Sequence, residues 1–337
     1  MASHRPVNAG LSGVSLRSIQ DAARTIAGEI HRTPLLFSSN LSKMCGHQVW
    51  LKAENLQKTG CFKPRGALNK IAHLSSEQRA RGVLAASAGN HAQGLAYAAV
   101  RRGIPVKVVM PVTAQPSKIE ATREMGAEVI LHGEIFDDAL AHSYEILRET
   151  GMTFVHPNID ADVVSGAGTI GLEILEDLPD VDAIVAPIGG GGLISGIAIG
   201  VKAAAPTGRD VKIFGVEPAG APAMKRALAA GKVVVLESAV SIADGMAGRA
   251  VFEETREIVS RLVEDVVLVS DASLLRAMSL LLTRCKILAE GAGAGPLAAL
   301  LDGVVPLPAG SKVVALISGG NQDLTRLAGW LKDGLPA

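Results

Sequence analysis

Aromatic side chains are scarce: two Trp, two Tyr and six Phe make up 3% of 337 residues. Neither sign of charge is in surplus, with 33 Lys+Arg against 33 Asp+Glu. A nucleic-acid partner is therefore not expected, since that requires a basic face and rings on which bases stack. Cysteine is equally sparse. Cys45, Cys61 and Cys285 are odd in number, far apart and without a C-x-x-C pair. This excludes a disulfide framework and a zinc ribbon, so no structural metal is expected and a reducing, cytoplasmic setting fits. Met1 to Gly13 contains no apolar run of signal-peptide length. The longest uncharged stretch, Ala183 to Val201, includes Pro187 and four consecutive glycines. Each glycine costs a helix roughly 1 kcal/mol relative to alanine, so a strand, a turn and a helix fit better than a membrane span.

The hydrophobic share is 48%, ample for a buried core. At ~100–200 residues per domain the chain makes one large domain or two ordinary ones. Short β-branched runs alternate with helical patterns. Strands are expected at Val83–Ala86, Val106–Met110, Glu128–Leu131, Ala183–Pro187, Lys212–Val216, Val266–Val269 and Val313–Ile317. Helices are expected at His91–Arg101, Ser117–Met125 and Phe136–Glu149. Strands apolar on both faces that alternate with helices give α/β structure, with mostly parallel twisted sheets covered by helices. So many strands exceed one comfortable sheet, which predicts two domains with ligand chemistry in the cleft between them. The last strand and helix reach nearly to Ala337, so a further regulatory domain is not expected.

Glycine is in excess, 37 of 337 residues, and it is clustered. Gly189-Gly190-Gly191-Gly192 lies between an expected strand and helix, where free amides and the helix dipole favour an anion. No G-K-[ST] follows, so this is a phosphate cup of another kind rather than a nucleotide P-loop, with a tight packing turn as the bland alternative. Gly166 to Gly171 matches G-x-G-x-x-G but does not follow a strand directly, so it reads as a helix N-terminus rather than a dinucleotide fingerprint. Ser87-Ala88-Gly89-Asn90-His91 suits a carboxylate ligand or a helix cap. Ser318-Gly319-Gly320-Asn321 ends the last strand, and Gly291-Ala292-Gly293-Ala294-Gly295 has no evident chemistry.

Lys63 precedes Pro64, which suits a helix's first turn. An unselected lysine is normally exposed. A phosphate cup without a metal or nucleotide motif changes that balance, because a phosphorylated aldehyde cofactor needs both a cup and a Schiff-base lysine. The set K-T-G-C-F-K-P-R-G-A (58–67), S-A-G-N-H-A-Q-G (87–94), G-G-G-G-L (189–193) and S-G-G-N (318–321) resembles fold-type II pyridoxal-phosphate enzymes. Within them it is similar to the threonine dehydratase (threonine ammonia-lyase) and serine racemase group, from about Ile19 to Leu331.

The resemblance implies pyridoxal 5'-phosphate held by Lys63 as a Schiff base. Phe62 would lie beside it, Asn90 would bond its phenolic oxygen and Ser318 would face its pyridine nitrogen. Gly189, Gly190, Gly191, Gly192 and Leu193 would wrap its phosphate, and Gly245 would flank the ring. Ser87, Gly89 and His91 would receive the substrate carboxylate. It also implies a small domain at 56–154 inserted in a large one formed by 1–55 and 155–337, and a homodimer or homotetramer. The expected reaction is dehydration and deamination of a β-hydroxy amino acid, L-threonine before L-serine, with Lys63 as the base. The family's racemases carry a serine where Ala88 stands. Serine racemase or a dehydratase for another such amino acid, for example hydroxyaspartate, remains the alternative; a dinucleotide-dependent oxidoreductase is the rival outside the class. Three further departures stand out. Cys61 replaces a usual serine, Ala167 a usual glutamine, and Glu217 lacks its carboxylate partner because Ala223 occupies that place.

Overall fold

A computed structural model describes residues 10–332. Ten strands alternate with helices: β1 (Leu35–Phe37), β2 (Gln48–Ala53), β3 (Val83–Ala86), β4 (Val106–Met110), β5 (Glu128–Leu131), β6 (Thr153–Phe154), β7 (Ala183–Pro187), β8 (Lys212–Pro218), β9 (Asp265–Val269) and β10 (Lys312–Ile317). The β-branched runs fall where expected, with ends shifted by at most two residues. Every residue of β3 and of β7 is buried, which matches runs apolar on both faces.

The chain separates into two compact units: residues up to Ile30 with Lys63–Ala167, and His31–Phe62 with Gly168 onward. The first unit therefore holds residues before Ile30 and 155–167 beside most of the expected 56–154. The physical reason for the former is the helix Leu16–Ile26, whose Ile26 is buried with Ala67, Leu68 and Ile71. The first unit's sheet is parallel throughout, in the order β5-β4-β3-β6. Its core is built on Leu68, Leu95, Val108 and Met110.

The second unit's sheet has the order β1-β2-β10-β7-β8-β9. Only β1, at the edge, runs antiparallel. Its core includes Phe214, Val216, Leu274, Leu297 and Ile317. In both units a strand lies between neighbours that follow it at different points of the chain, so carboxyl ends of parallel strands open onto a crevice where loops can receive a ligand.

One expectation is corrected. Gly166 to Gly171 is not a helix N-terminus but the middle of the helix Ala161–Asp177. That helix starts earlier because Asp160 Oδ1 accepts from the amides of Asp162 (3.0 Å) and Val163 (3.4 Å). A Cβ on Gly166 would stand 2.4 Å from the carbonyl oxygen of Arg65. The glycine there lets two helices approach.

Candidate active site

In the second unit, β7 and β10 are neighbours in parallel register, with Val313 opposite Ala183 and Ala315 opposite Val185. Gly189 and Ser318 therefore leave the sheet side by side. The Ile188 amide still donates to Val216 O (2.8 Å), and beyond it the chain turns away from the sheet. Gly191 caps the helix Gly192–Ala204 in the left-handed region (φ 92°) and offers no side chain. Gly192 and Leu193 open that helix, so their amides have no partner within it. Thr255 Oγ1 donates to Gly190 O at 2.9 Å and fixes the turn. A Cβ on Gly189 would lie 2.5 Å from Gly245 O, and one on Gly191 2.7 Å from Thr255 Cβ. The four glycines thus form a bare amide cradle at a positive helix end, suited to a phosphate.

Ser318 is buried, and its carbonyl accepts from the Phe62 amide at 3.0 Å. Cys61 pairs with Gly319 in an antiparallel bridge, the Gly320 amide donates to Gly60 O (2.8 Å), and Asn321 Nδ2 donates to Thr59 O (2.8 Å). The segment leading to Lys63 is thereby stitched to the end of β10. The Gly291–Gly295 cluster, opaque in sequence, opens the helix Gly291–Leu301. A Cβ on Gly293 would stand 2.3 Å from Gly319 O, and one on Gly291 2.9 Å from Ala243 Cα. These glycines let a helix end pack against the Ser318 turn and the segment before Gly245.

Glu290, which the sequence reading missed, is buried at the cap of that helix. Its Oε1 lies 2.6 Å from where a Gly319 Cβ would be. Its only sequence signal is its place directly before a glycine cluster. Thr255 had no such signal.

In the first unit, Lys63 is the first residue of the helix Lys63–Ala72 and is half-buried. A Cβ on Gly94 would stand 2.9 Å from Lys63 Cβ, so the helix Asn90–Val100 packs directly on the lysine's backbone. Ser87 follows β3 directly, and its Oγ accepts from the amides of Gly89 (3.1 Å) and Ala92 (3.2 Å). Asn90 opens the helix, and Ala88 is exposed at the tip of the turn. Gly89 caps the helix with φ 172° and ψ −97°. A Cβ there would lie 2.5 Å from Lys118 Cδ, so a larger residue would displace that side chain.

His91 is buried, with Nε2 2.9 Å from Val155 O, so its ring is committed to the interior and its backbone amide is what it can offer a ligand. Burial, then the nearby Lys63 charge, lowers its pKa to about 3. His156, another residue missed in sequence, accepts at Nδ1 from the amides of Asn158 (3.1 Å) and Ile159 (3.2 Å). The same two causes lower its pKa to about 3. Two neutral imidazoles therefore accompany Lys63. Its neighbourhood was not legible, because residues 63, 91 and 156 are distant in sequence.

Glu217 uses both oxygens to cap the helix Ala223–Ala230, accepting from the amides of Met224 (2.7 Å) and Lys225 (2.9 Å). Burial pushes its pKa up to about 7.

The family model for pyridoxal-phosphate dependent enzymes matches residues 26–319. The chain is 48% identical to an L-threonine ammonia-lyase of Thermotoga maritima over 96% of its own length and 79% of the relative's. Among solved structures it is similar to a serine racemase of maize (TM-score 0.89, 38% identity, covering 96% of this chain and 98% of that one). It is also similar to a threonine deaminase of T.th. (TM-score 0.85, 42% identity, covering 92% and 99%).

Proposed function

The chain belongs to the pyridoxal-phosphate dependent enzymes, and from that premise we propose that it is an ammonia-lyase converting L-threonine to 2-oxobutanoate and ammonia, with L-serine as a lesser substrate giving pyruvate. The residues present fit the cofactor. The bare amides of Gly189–Gly192 at a helix start suit its phosphate, and Lys63, at a helix start and half-buried, suits its aldehyde. When bound, pyridoxal phosphate supplies an aldehyde that links amines and a ring that accepts electrons from the substrate Cα.

The chain's own residues do the rest. Gly189, Gly190, Gly191, Gly192 and Leu193 would hold the phosphate through backbone N–H groups. Asn90 would bond the phenolic oxygen, Phe62 and Gly245 would lie beside the ring, and the Ser318 hydroxyl would face the pyridine nitrogen. The turn holding Ser87, Gly89 and His91 receives the substrate carboxylate at a helix start. Lys63, once its amine is free, would remove the α-proton as general base. The β-hydroxyl, taking up a proton equivalent to the one removed from Cα, would depart as water, and one water would be taken up again as the unsaturated product hydrolyses to the 2-oxo acid and ammonia.

Ala88 is the observation that carries lyase over racemase. It sits exposed at the tip of the substrate turn, and a methyl group has no proton to return to the opposite face of Cα. The likeness to maize serine racemase keeps racemisation as the second reading. Among the described residues no helix is long and apolar enough to cross a membrane. Work in the cytoplasm as a homodimer or homotetramer, on a small amino acid and with no nucleic-acid partner, completes the proposal.

The test is 2-oxo acid release across L-threonine, L-serine and 3-hydroxyaspartate, with chiral analysis of recovered substrate. Threonine should lead and recovered serine should stay L; D-serine without 2-oxo acid overturns the reading. Lys63→Ala should lower turnover by roughly a thousandfold or more and remove the cofactor's visible absorption band. Parental activity in that variant refutes the assignment of the lysine.

A further inference from the structure

At one end of the second unit's sheet, β1 is paired to β2 on one side only. The Ser38 amide donates to Val49 O (3.0 Å) and the Ala53 amide to Pro34 O (3.1 Å). Backbone groups alternate along an antiparallel ladder, so Pro34, Leu36 and Ser38 turn theirs toward β2. Leu35 and Phe37 turn theirs outward, where those N–H and C=O groups meet no partner among the described residues. Pro34 belongs to the inward set, so its missing N–H leaves the outer side of the edge intact.

The side chains on this edge are apolar and open. Leu36 is 39% exposed, and Phe37 is 54% exposed although its ring rests on Trp50 with centroids 5.0 Å apart. An edge that must stay single is commonly guarded by a charge or a bulge. No charged residue stands between Arg32 and Lys43, and β1 runs beside β2 without a bulge. Arg32 is itself engaged by Glu176 at 2.8 Å. The vacant stretch is also bounded. The Thr33 carbonyl accepts from Lys52 Nζ (2.7 Å), and Ser39 already opens the helix Ser39–Cys45.

We propose that β1 pairs with β1 of a second copy of this chain, antiparallel about a two-fold axis through Leu36. The outward groups at 35 and 37 are placed symmetrically about 36, so the same strand reversed matches them without remainder, and this selects a second copy as the occupant. Leu35 of one copy meets Phe37 of the other, with two hydrogen bonds at each such pair. Leu36 faces its own copy across the axis, at a Cα separation of about 4.5 Å. In this register Arg32 of one copy lies opposite Asn40 of the other, so no like charges are set face to face. The inference gives a surface to the homo-oligomer named above and rests on that reading.

Two cysteine substitutions read the register in the full-length holoenzyme. Cys45→Ala and Cys285→Ala first remove the two partly exposed native thiols and leave the buried Cys61. In that background Leu36→Cys should link two copies by a disulfide on mild oxidation, because about 4.5 Å between Cα atoms permits the bridge. Phe37→Cys should not, although Phe37 is the more exposed residue, because its two Cα atoms lie about 8–9 Å apart across the diagonal. Leu36→Lys brings like charges together at the axis. By sedimentation velocity it should weaken association about hundredfold or more.

A wild-type protein that sediments as a monomer overturns the homo-oligomer, and this surface with it. An extended peptide of another protein at the edge would give that same monomer. A wild-type oligomer in which Leu36→Cys stays unlinked, or in which Phe37→Cys links as fast, refutes the β1 pairing and leaves the homo-oligomer standing. Should Leu36→Lys fail to fold, the two cysteine variants still decide, since both alter partly exposed side chains.

Discussion

On the proposed reading, the methyl group at position 88 is what separates lyase from racemase chemistry. Returning a proton to the far face of Cα needs a group that can give one, and Ala88 cannot. Ala88→Ser places a hydroxyl at the exposed tip of the same turn. D-serine should then become detectable by chiral chromatography of an L-serine digest, while 2-oxo acid release persists; absence of any D-isomer would show that the opposite face is closed for another reason. Glycine acts at the same scale through what it omits. Gly191 combines φ 92° with a Cβ position 2.7 Å from Thr255 Cβ, whereas Gly231 has φ 65° and nothing within 4 Å. Alanine in the left-handed region costs roughly 1–2 kcal/mol at either site. Only Gly191→Ala should also weaken cofactor binding, by about tenfold or more, since it alone reshapes the amide cradle. Equal cofactor affinity in the two variants, measured by fluorescence titration, would remove the phosphate from this turn.

At the scale of elements, regular structure was legible and its ends were partly so. β3, β4 and β7 coincide with their apolar runs because a strand covered on both faces needs an unbroken hydrophobic stretch, which is a local property. The helix Ala161–Asp177 began earlier than expected because its cap, Asp160, lies beyond the apolar pattern used to find it. The helix Ala223–Ala230 is capped from another element altogether, by Glu217 on β8. Burial raises that carboxyl from 4.5 to about 7. The folded protein thus holds this proton more tightly than the unfolded chain. The corresponding stability is present below pH 4.5 and is lost as pH rises through about 7, on the order of 3 kcal/mol in all. Urea midpoints at pH 5 and pH 8 should therefore fall further apart for the wild type than for Glu217→Gln, and identical pH dependence would contradict the assignment.

For the whole molecule, the buried histidines set the acid limit. His91 and His156 charge near pH 6.5 when unfolded, but only near pH 3 when folded. Their contribution is complete above pH 6.5 and is lost as pH falls toward 3, at up to about 1.4 kcal/mol per pH unit for each ring. His156→Asn keeps an acceptor for the amides of Asn158 and Ile159 and removes one titration. Its unfolding free energy should decline less steeply from pH 6.5 to pH 4, and an unchanged slope would mean that the ring is already charged in the fold.

The sequence by itself determined the class of the fold and the chemistry. Apolar runs of strand length fix parallel sheets, and the ordered set of Lys63, Ser87–His91, Gly189–Leu193 and Ser318–Asn321 specifies a phosphorylated aldehyde cofactor. Both are encoded in short segments, each contiguous in itself. Tertiary structure alone decided which glycines leave a bare turn and which serve packing, that Glu290 and Thr255 stand beside the two glycine turns, and that two buried, uncharged imidazoles lie within the field of the lysine. Those properties arise from excluded volume, burial and electric fields, which exist only once residues distant along the chain are brought within a few ångströms of one another.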